Sequence, residues 1–137
     1  MDDKKTALGA AQQWLGTPIG EALLKQETRL IEDAFDGLFG ELCVQLGMWG
    51  RSRNFLRFAR TQRSISISDV ETSGDARKPG AISQLSQLPV ASNSVDLIFL
   101  PHTFDYSNEH SHAILRETER VLTPHGHMVV LGFKPGG

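Results

Sequence analysis

The chain has 137 residues, of which 39% are hydrophobic and 22% charged, the proportions of one ordinary globular unit and not of a disordered or two-domain protein. Lysine and arginine number 14 against 16 aspartates and glutamates, so the net charge of -2 excludes a polycation built along its whole length for phosphate backbones. The single cysteine, Cys43, excludes an internal disulfide and a Cys-rich zinc site, and no apolar run reaches the roughly 20 residues that cross a bilayer. The polar start, Met1-Asp2-Asp3-Lys4-Lys5, does not read as a secretory signal, and a soluble cytoplasmic protein is expected.

In chain order, residues 1–40 read as a helical region and 41–137 as an α/β core, together one domain. Thr17-Pro18 is a helix start, with an N-cap hydroxyl and a proline where its missing N–H costs nothing. Ile19, Leu23, Leu30, Ala34 and Phe35 recur at near-helical spacing and predict an apolar stripe, closed by Gly37 and Gly40. Leu42 to Leu46 suits a strand covered on both faces and ends at Gly47. Residues 51–60 are expected as a short helix with Phe55, Phe58 and Ala59 inward. Ser64-Ile65-Ser66-Ile67-Ser68 alternates as a strand with one buried face does.

Glu71 to Gly80 is dense in turn formers and reads as a loop. A short strand is expected from Ala81 to Leu85, and a buried one from Val95 to Leu100. Asn108 or Ser107 can cap a helix running to Leu122, with Ala113, Ile114, Val121 and Leu122 packing and Pro124 and Gly126 stopping it. His127 to Leu131 is the last strand. Strands alternating with helices predict an α/β, doubly wound, mostly parallel Rossmann-like sheet of about five strands in three layers. Ligands of such sheets lie beyond the carboxyl ends of the strands, where the strand order reverses. The residues following Leu46, Ile67 and Leu100 and those around Gln84 are therefore the ones to question.

Three segments carry a family likeness: Leu42 to Gly50, Leu88-Pro89 through Leu100, and Leu115-Arg116-Glu117 through Val121-Leu122-Thr123-Pro124-His125-Gly126. They resemble the class I S-adenosylmethionine-dependent methyltransferases, most closely the small type 11 group, over roughly residues 17 to 137. The resemblance implies S-adenosyl-L-methionine as cofactor and methyl transfer to an unidentified acceptor. It also implies a sheet that continues for two strands beyond Leu131, so this chain is expected to be shortened at its C-terminus. An exposed edge there predicts self-association, a homo-oligomer. The alternative is an inactive member serving as a binding or assembly module.

That resemblance marks out the cofactor-binding candidates Gln45, Gly47, Trp49, Gly50, Asp69, Glu71, Gln84, Pro101 and His102. Gln45 stands where the family has an acid, and only Gly47 of the glycine run falls in place; Trp49 and Arg51 occupy positions of small residues. Trp49 occludes the pocket, stacks on a ligand, or belongs to the core. Asp69 or Glu71 would meet ribose hydroxyls, and Gln84 stands near the adenine position. His102, after the fourth strand, is the candidate general base, because its ordinary pKa lies near neutrality. His110 and His112 are two apart on an expected helix and should point in different directions, and no metal site is expected. Arg51, Arg53, Arg57, Arg60 and Arg63 form a basic cluster in which Arg53, Arg57 and Arg60 would share a helical face. It reads first as a solvated surface and second as a contact for RNA or an acidic partner.

Overall fold

A computed structural model describes residues 3–50, 54–69, 79–107 and 109–133. Two helices, α1 (Asp3–Trp14) and α2 (Pro18–Phe35), lead into the sheet. α2 begins as its sequence dictates: Thr17 is the N-cap and its hydroxyl accepts from Gly20 N at 3.2 Å, with Pro18 in the first turn. Its inward face differs from the expected stripe. Gly20, Glu27, Ile31 and Phe35 are buried, while Ile19 is 73% and Leu30 57% exposed.

The cause is the contact between the two helices. A Cβ on Gly20 would stand 2.1 Å from Trp14 O and 2.6 Å from Leu15 Cα, so the backbones meet there and fix which side of α2 faces the sheet. α1 follows the same logic with few apolar residues. Leu8, Gln12 and Leu15, spaced as i, i+4 and i+7, are its buried positions.

Five strands follow: β1 (Phe39–Leu46), β2 (Arg60–Ser68), β3 (Ala81–Ile82), β4 (Val95–Pro101) and β5 (Leu122–Leu131). They form one sheet in the order β3-β2-β1-β4-β5 with every neighbouring pair parallel. The order reverses between β1 and β4, which places the expected ligand crevice at the carboxyl ends of those two strands. Alternate residues divide between two cores. Cys43, Leu97 and Phe99 pack with Ile31, Phe35 and Phe55 on one side. Val44, Leu46, Ile98 and Leu100 pack with Leu85, Ile114 and Val121 on the other. The sheet is thus sandwiched between α1 and α2 on one face and α4 (Ser111–Val121) on the other, as the apolar runs of β1 and β4 require.

Several expectations change. Residues 54–60 hold only a 3₁₀ turn, Leu56–Phe58, because Ala59 turns extended and Arg60 already opens β2. Phe55 and Leu56 are both buried although adjacent, which a helix presenting one face does not allow; Arg57 lies over the Phe58 ring. Arg51 and Arg53 lie outside the described residues; Arg57 stands in the 3₁₀ turn and Arg60 in β2, so these two do not share a helical face, and Arg60 pairs with Asp36 at 2.8 Å. The strand over residues 64–68 buries Ser66 and Ser68 as well as Ile67, because β2 is an interior strand. The helix expected from Ser107 or Asn108 starts at Ser111 with His110 as N-cap, and a separate short helix, α3 (Thr103–Tyr106), precedes it. Asn108 lies outside the described residues. β5 begins at Leu122 and includes Pro124, tolerated because β5 is an edge strand.

The motifs at Leu88-Pro89 and Leu115 to Gly126 prove to be one device. Glu117 Oε2 accepts from Leu88 N at 2.6 Å, and Arg120 Nη2 donates to Leu88 O and Val90 O at 3.1 and 2.9 Å. Glu117 and Arg120 also pair with each other at 2.7 Å. The helix that follows β4 thus pins the turn that precedes it.

Two glycine substitutions test the helix contact. Gly20→Ala should lower stability by about 1–3 kcal/mol, because the obstruction is backbone and cannot rotate away. Gly9→Ala in α1, with nothing within 4 Å of its Cβ, should raise it by about 0.5–1 kcal/mol. Denaturant melts of the pair check this, and a neutral Gly20→Ala would refute the close approach.

Candidate functional site

β1 ends in a turn from Gly47 to Gly50. Gly47 (φ +92°) and Gly50 (φ +73°) both hold conformations that disfavour a side chain. Space enforces Gly47 as well, since a Cβ there would meet Thr103 Oγ1 at 3.0 Å. Thr103 Oγ1 in turn donates to Leu46 O, tying α3 to the end of β1. The N-terminal helices hold the turn from the other side. Gln12 accepts from Gly50 N at 2.8 Å and donates to Gly50 O at 3.4 Å.

Glu27 is the centre of this clamp. It is 5% exposed, and each carboxylate oxygen is engaged: Oε1 accepts from Trp49 Nε1 at 2.8 Å, and Oε2 lies 2.5 Å from His102 Nε2. His102 Nδ1 lies 3.1 Å from Asp105 Oδ2, which also accepts from Phe133 N at 3.2 Å. Burial alone would push the His102 pKa down. The hydrogen bonds and charges of Glu27 and Asp105 overcome it and raise the pKa above its ordinary value of 6.5, which favours the protonated ring. His102 holds a left-handed backbone (φ 57°, ψ 24°), a cost of order 1 kcal/mol or more, and its carbonyl receives Asp105 N and Tyr106 N to start α3.

Trp49 lies in this network with 1% of its surface exposed. Its ring centroid is 4.3 Å from that of His102 and 5.6 Å from that of Tyr106. Of the roles open to it in the sequence, the structure shows it packed in the core.

Of the other candidates, Gln45 is buried, donates to Gly47 O at 2.9 Å, and leaves Oε1 without a partner. Asp69, just past β2, accepts from Ser107 Oγ at 2.8 Å. Burial raises its pKa above the usual aspartate value, helped by the neighbouring Glu109 and opposed by the Ser107 bond. Glu109 is itself lowered: burial would raise it, but the N–H groups of Leu85 and Ser86, at 2.6 and 2.9 Å, hold the carboxylate. Pro101 and His102 close the far side. Gln84 is exposed after β3, with Ser83 and Gln87 bonding its carbonyl, and Glu71 lies outside the described residues.

Glu27, Gln12 and Glu109 were not singled out in the sequence; Thr103 and Asp105 fall in the segment after Leu100, and Ser107 was read only as a helix cap. Glu27 had one legible signal: it shares the helical face of Gly20, Ile31 and Phe35, where an acid needs a buried partner. His110 and His112, expected to diverge, have rings 5.7 Å apart, because His110 stands at the cap and not within α4. Among the described residues, no group of three His, Cys, Asp or Glu is arranged to hold a metal ion. Nor is any helix among them long and apolar enough to cross a membrane.

The crevice between these elements can be tested against an adenosyl cofactor. Its polar groups fit one: a carboxylate, Asp69, at the end of β2 and a glycine turn at Gly47 open to close approach; Gln45 Oε1 is buried nearby in the chain but does not line the cavity. Its room does not yet suffice, since the cavity lined by Leu8, Gly47, Asp69, Pro101 and His102 measures about 20 Å³. A ligand of that kind needs roughly 300 Å³ or more, so the crevice has to widen for one to enter.

A family model described as a methyltransferase domain matches residues 51–130, more than half the chain. The chain is 27% identical over 122 residues to the uncharacterized protein YafS of Escherichia coli K12, covering 89% of this chain and 48% of that one. It therefore spans about half the length of that curated relative. Its fold is similar to a chain of the Haloferax volcanii complex between the Trm112 methyltransferase activator and its candidate methyltransferase. There the TM-score is 0.65 at 18% identity, over 95% of this chain and 60% of that one. It is also similar to a candidate S-adenosyl-L-methionine-dependent methyltransferase of Methanococcus maripaludis, with TM-score 0.59 at 16% identity over 96% and 64%.

A raised His102 pKa has a defined pH signature. Its stabilisation is fully present below the unfolded value of about 6.5 and is lost as pH rises through the higher folded value. Thermal melts from pH 6 to 9 should therefore show stability declining on the alkaline side. Glu27→Gln should flatten that decline and cost about 3 kcal/mol at pH 6. Parallel profiles for the two proteins would sink the assignment.

Proposed function

The chain belongs to the methyltransferase-domain family, and from that premise we propose that it binds S-adenosyl-L-methionine at the carboxyl ends of β1, β2 and β4. The observation that carries this reading is the meeting of Gly47, Asp69, Pro101 and His102 around one crevice at the sheet's reversal point. Asp69 would take the ribose hydroxyls, and, once the crevice widens, Gln45 Oε1, which has no partner of its own, would accept a donor from the ligand. The bound cofactor supplies an electrophilic sulfonium methyl. What the protein adds is placement of donor and acceptor in line. His102 is a positioning residue in this reading, since both ring nitrogens are occupied and only 1% of its side chain is exposed.

Calorimetry tests the proposal. S-adenosylhomocysteine should bind one to one, and Asp69→Asn should weaken it about tenfold, the worth of a charged hydrogen bond. Absence of both heat and thermal shift at millimolar ligand would remove it. That result would favour the second reading, an inactive binding or assembly module, which the small cavity and Trp49 in the glycine turn already support.

We place the protein in the cytoplasm and expect it to self-associate through β5. That strand forms one edge of the sheet and leaves Met128 41% and Val130 44% exposed. Light scattering should show a mass above that of one chain, falling to one chain in Val130→Lys. A strict monomer at high concentration contradicts it.

A further inference from the structure

A second hollow shares Tyr106 with the crevice beside Asp69 and is also lined by Trp49. Its volume is about 520 Å³, and α1 forms one wall through Ala7, Ala10 and Ala11, with Trp14, Tyr106 and Phe133 around it. Trp14 is 42% and Phe133 48% exposed, an uncommon amount of aromatic surface left in water at one place. Among the described residues, none that lines the hollow is charged.

We propose that this hollow binds a planar, uncharged ring compound, and that such a compound is the methyl acceptor. Three arguments select it. The volume is that of a small-molecule site, roughly 300–1,000 Å³, whereas a protein partner needs a face of about 800 Å². A lining without charge offers no partner to an ion, which would lose its hydration on entry; a neutral ligand matches it. Aromatic walls reward a ring. Trp49 meets Phe133 edge-on at 75°, and the Phe133 ring, stacked on His102 at one face, is half exposed, which leaves surface for a flat guest.

Continuity with the crevice supports the acceptor role. Tyr106 lines both spaces, so a widening of the crevice at Tyr106 would open the two into each other and let the acceptor's nucleophilic atom reach the methyl carbon directly. Transfer forms a bond from the methyl carbon to the acceptor's nucleophilic atom, breaks the sulfonium carbon–sulfur bond to leave a neutral thioether, and releases the acceptor's proton to solvent. The acceptor role rests on the methyl-transfer reading; the binding of a ring compound does not.

The test is a titration of the full chain, without cofactor, with the neutral fluorophore N-phenyl-1-naphthylamine. Saturable one-to-one binding is expected. Ala10→Glu, which puts a carboxylate into the hollow from an exposed helix position, should weaken it at least tenfold, while Ile82→Glu on β3 should leave it unchanged. Should Ala10→Glu not fold, Ala7→Glu makes the same test from the next turn. Binding that never saturates, or that is equal in Ala10→Glu, overturns the proposal. So does one probe per two chains with a doubled mass, which would mean that a second copy covers the hollow. Cofactor binding by calorimetry is measured separately, so a chain that binds the probe and not S-adenosylhomocysteine would fail only the methyl-transfer reading.

Discussion

Glu27 is a carboxylate taken out of water, and the carboxyl end of the sheet is organised around satisfying it. A buried ion of this kind costs several kcal/mol unless it is paired and hydrogen-bonded, and its two oxygens find one partner each in Trp49 and His102. The consequence runs in both directions along the chain. Toward the N-terminus, the pairing demands that α2 present Glu27 inward, which the side-chain-free contact at Gly20 permits. Toward the C-terminus, it holds His102 in a left-handed conformation, from which α3 starts and Asp105 reaches back to the same ring.

The same network decides what the crevice is. Trp49, in the turn after β1, is held by Glu27 and gives the neighbouring hollow an aromatic wall. Tyr106 links a tight crevice near Asp69 to an apolar hollow beside α1. Opening one affects the other, because Tyr106 and α1 border both.

Much of the architecture was legible. The apolar runs of β1 and β4, the alternation in β2, the Thr17-Pro18 helix start and the paired motifs at Leu88 and Leu115 each encode their element locally, and parallel pairing follows from their alternation. What was not legible depends on contacts between distant residues. α2 turns Ile19 and Leu30 outward because of a backbone contact with α1 that no periodicity records. Residues 54–60 follow the needs of Phe55 and Leu56 within the core and do not continue a helix. In the site, the turn glycines and Asp69 could be located from their place at strand ends. Glu27, 75 residues from His102, and Gln12, 38 from Gly50, could not be matched to their partners without the fold.

The central claim is that Glu27 and Asp105 together favour the protonated ring of the buried His102. Nitrogen-15 NMR of the imidazole across pH 6 to 9 reads this directly. Protons on both Nδ1 and Nε2 at the acid end of this range, with a midpoint above 6.5 that drops in Glu27→Gln, is the predicted result. A ring already neutral with one proton at pH 6, or a midpoint that Glu27→Gln leaves in place, would contradict it.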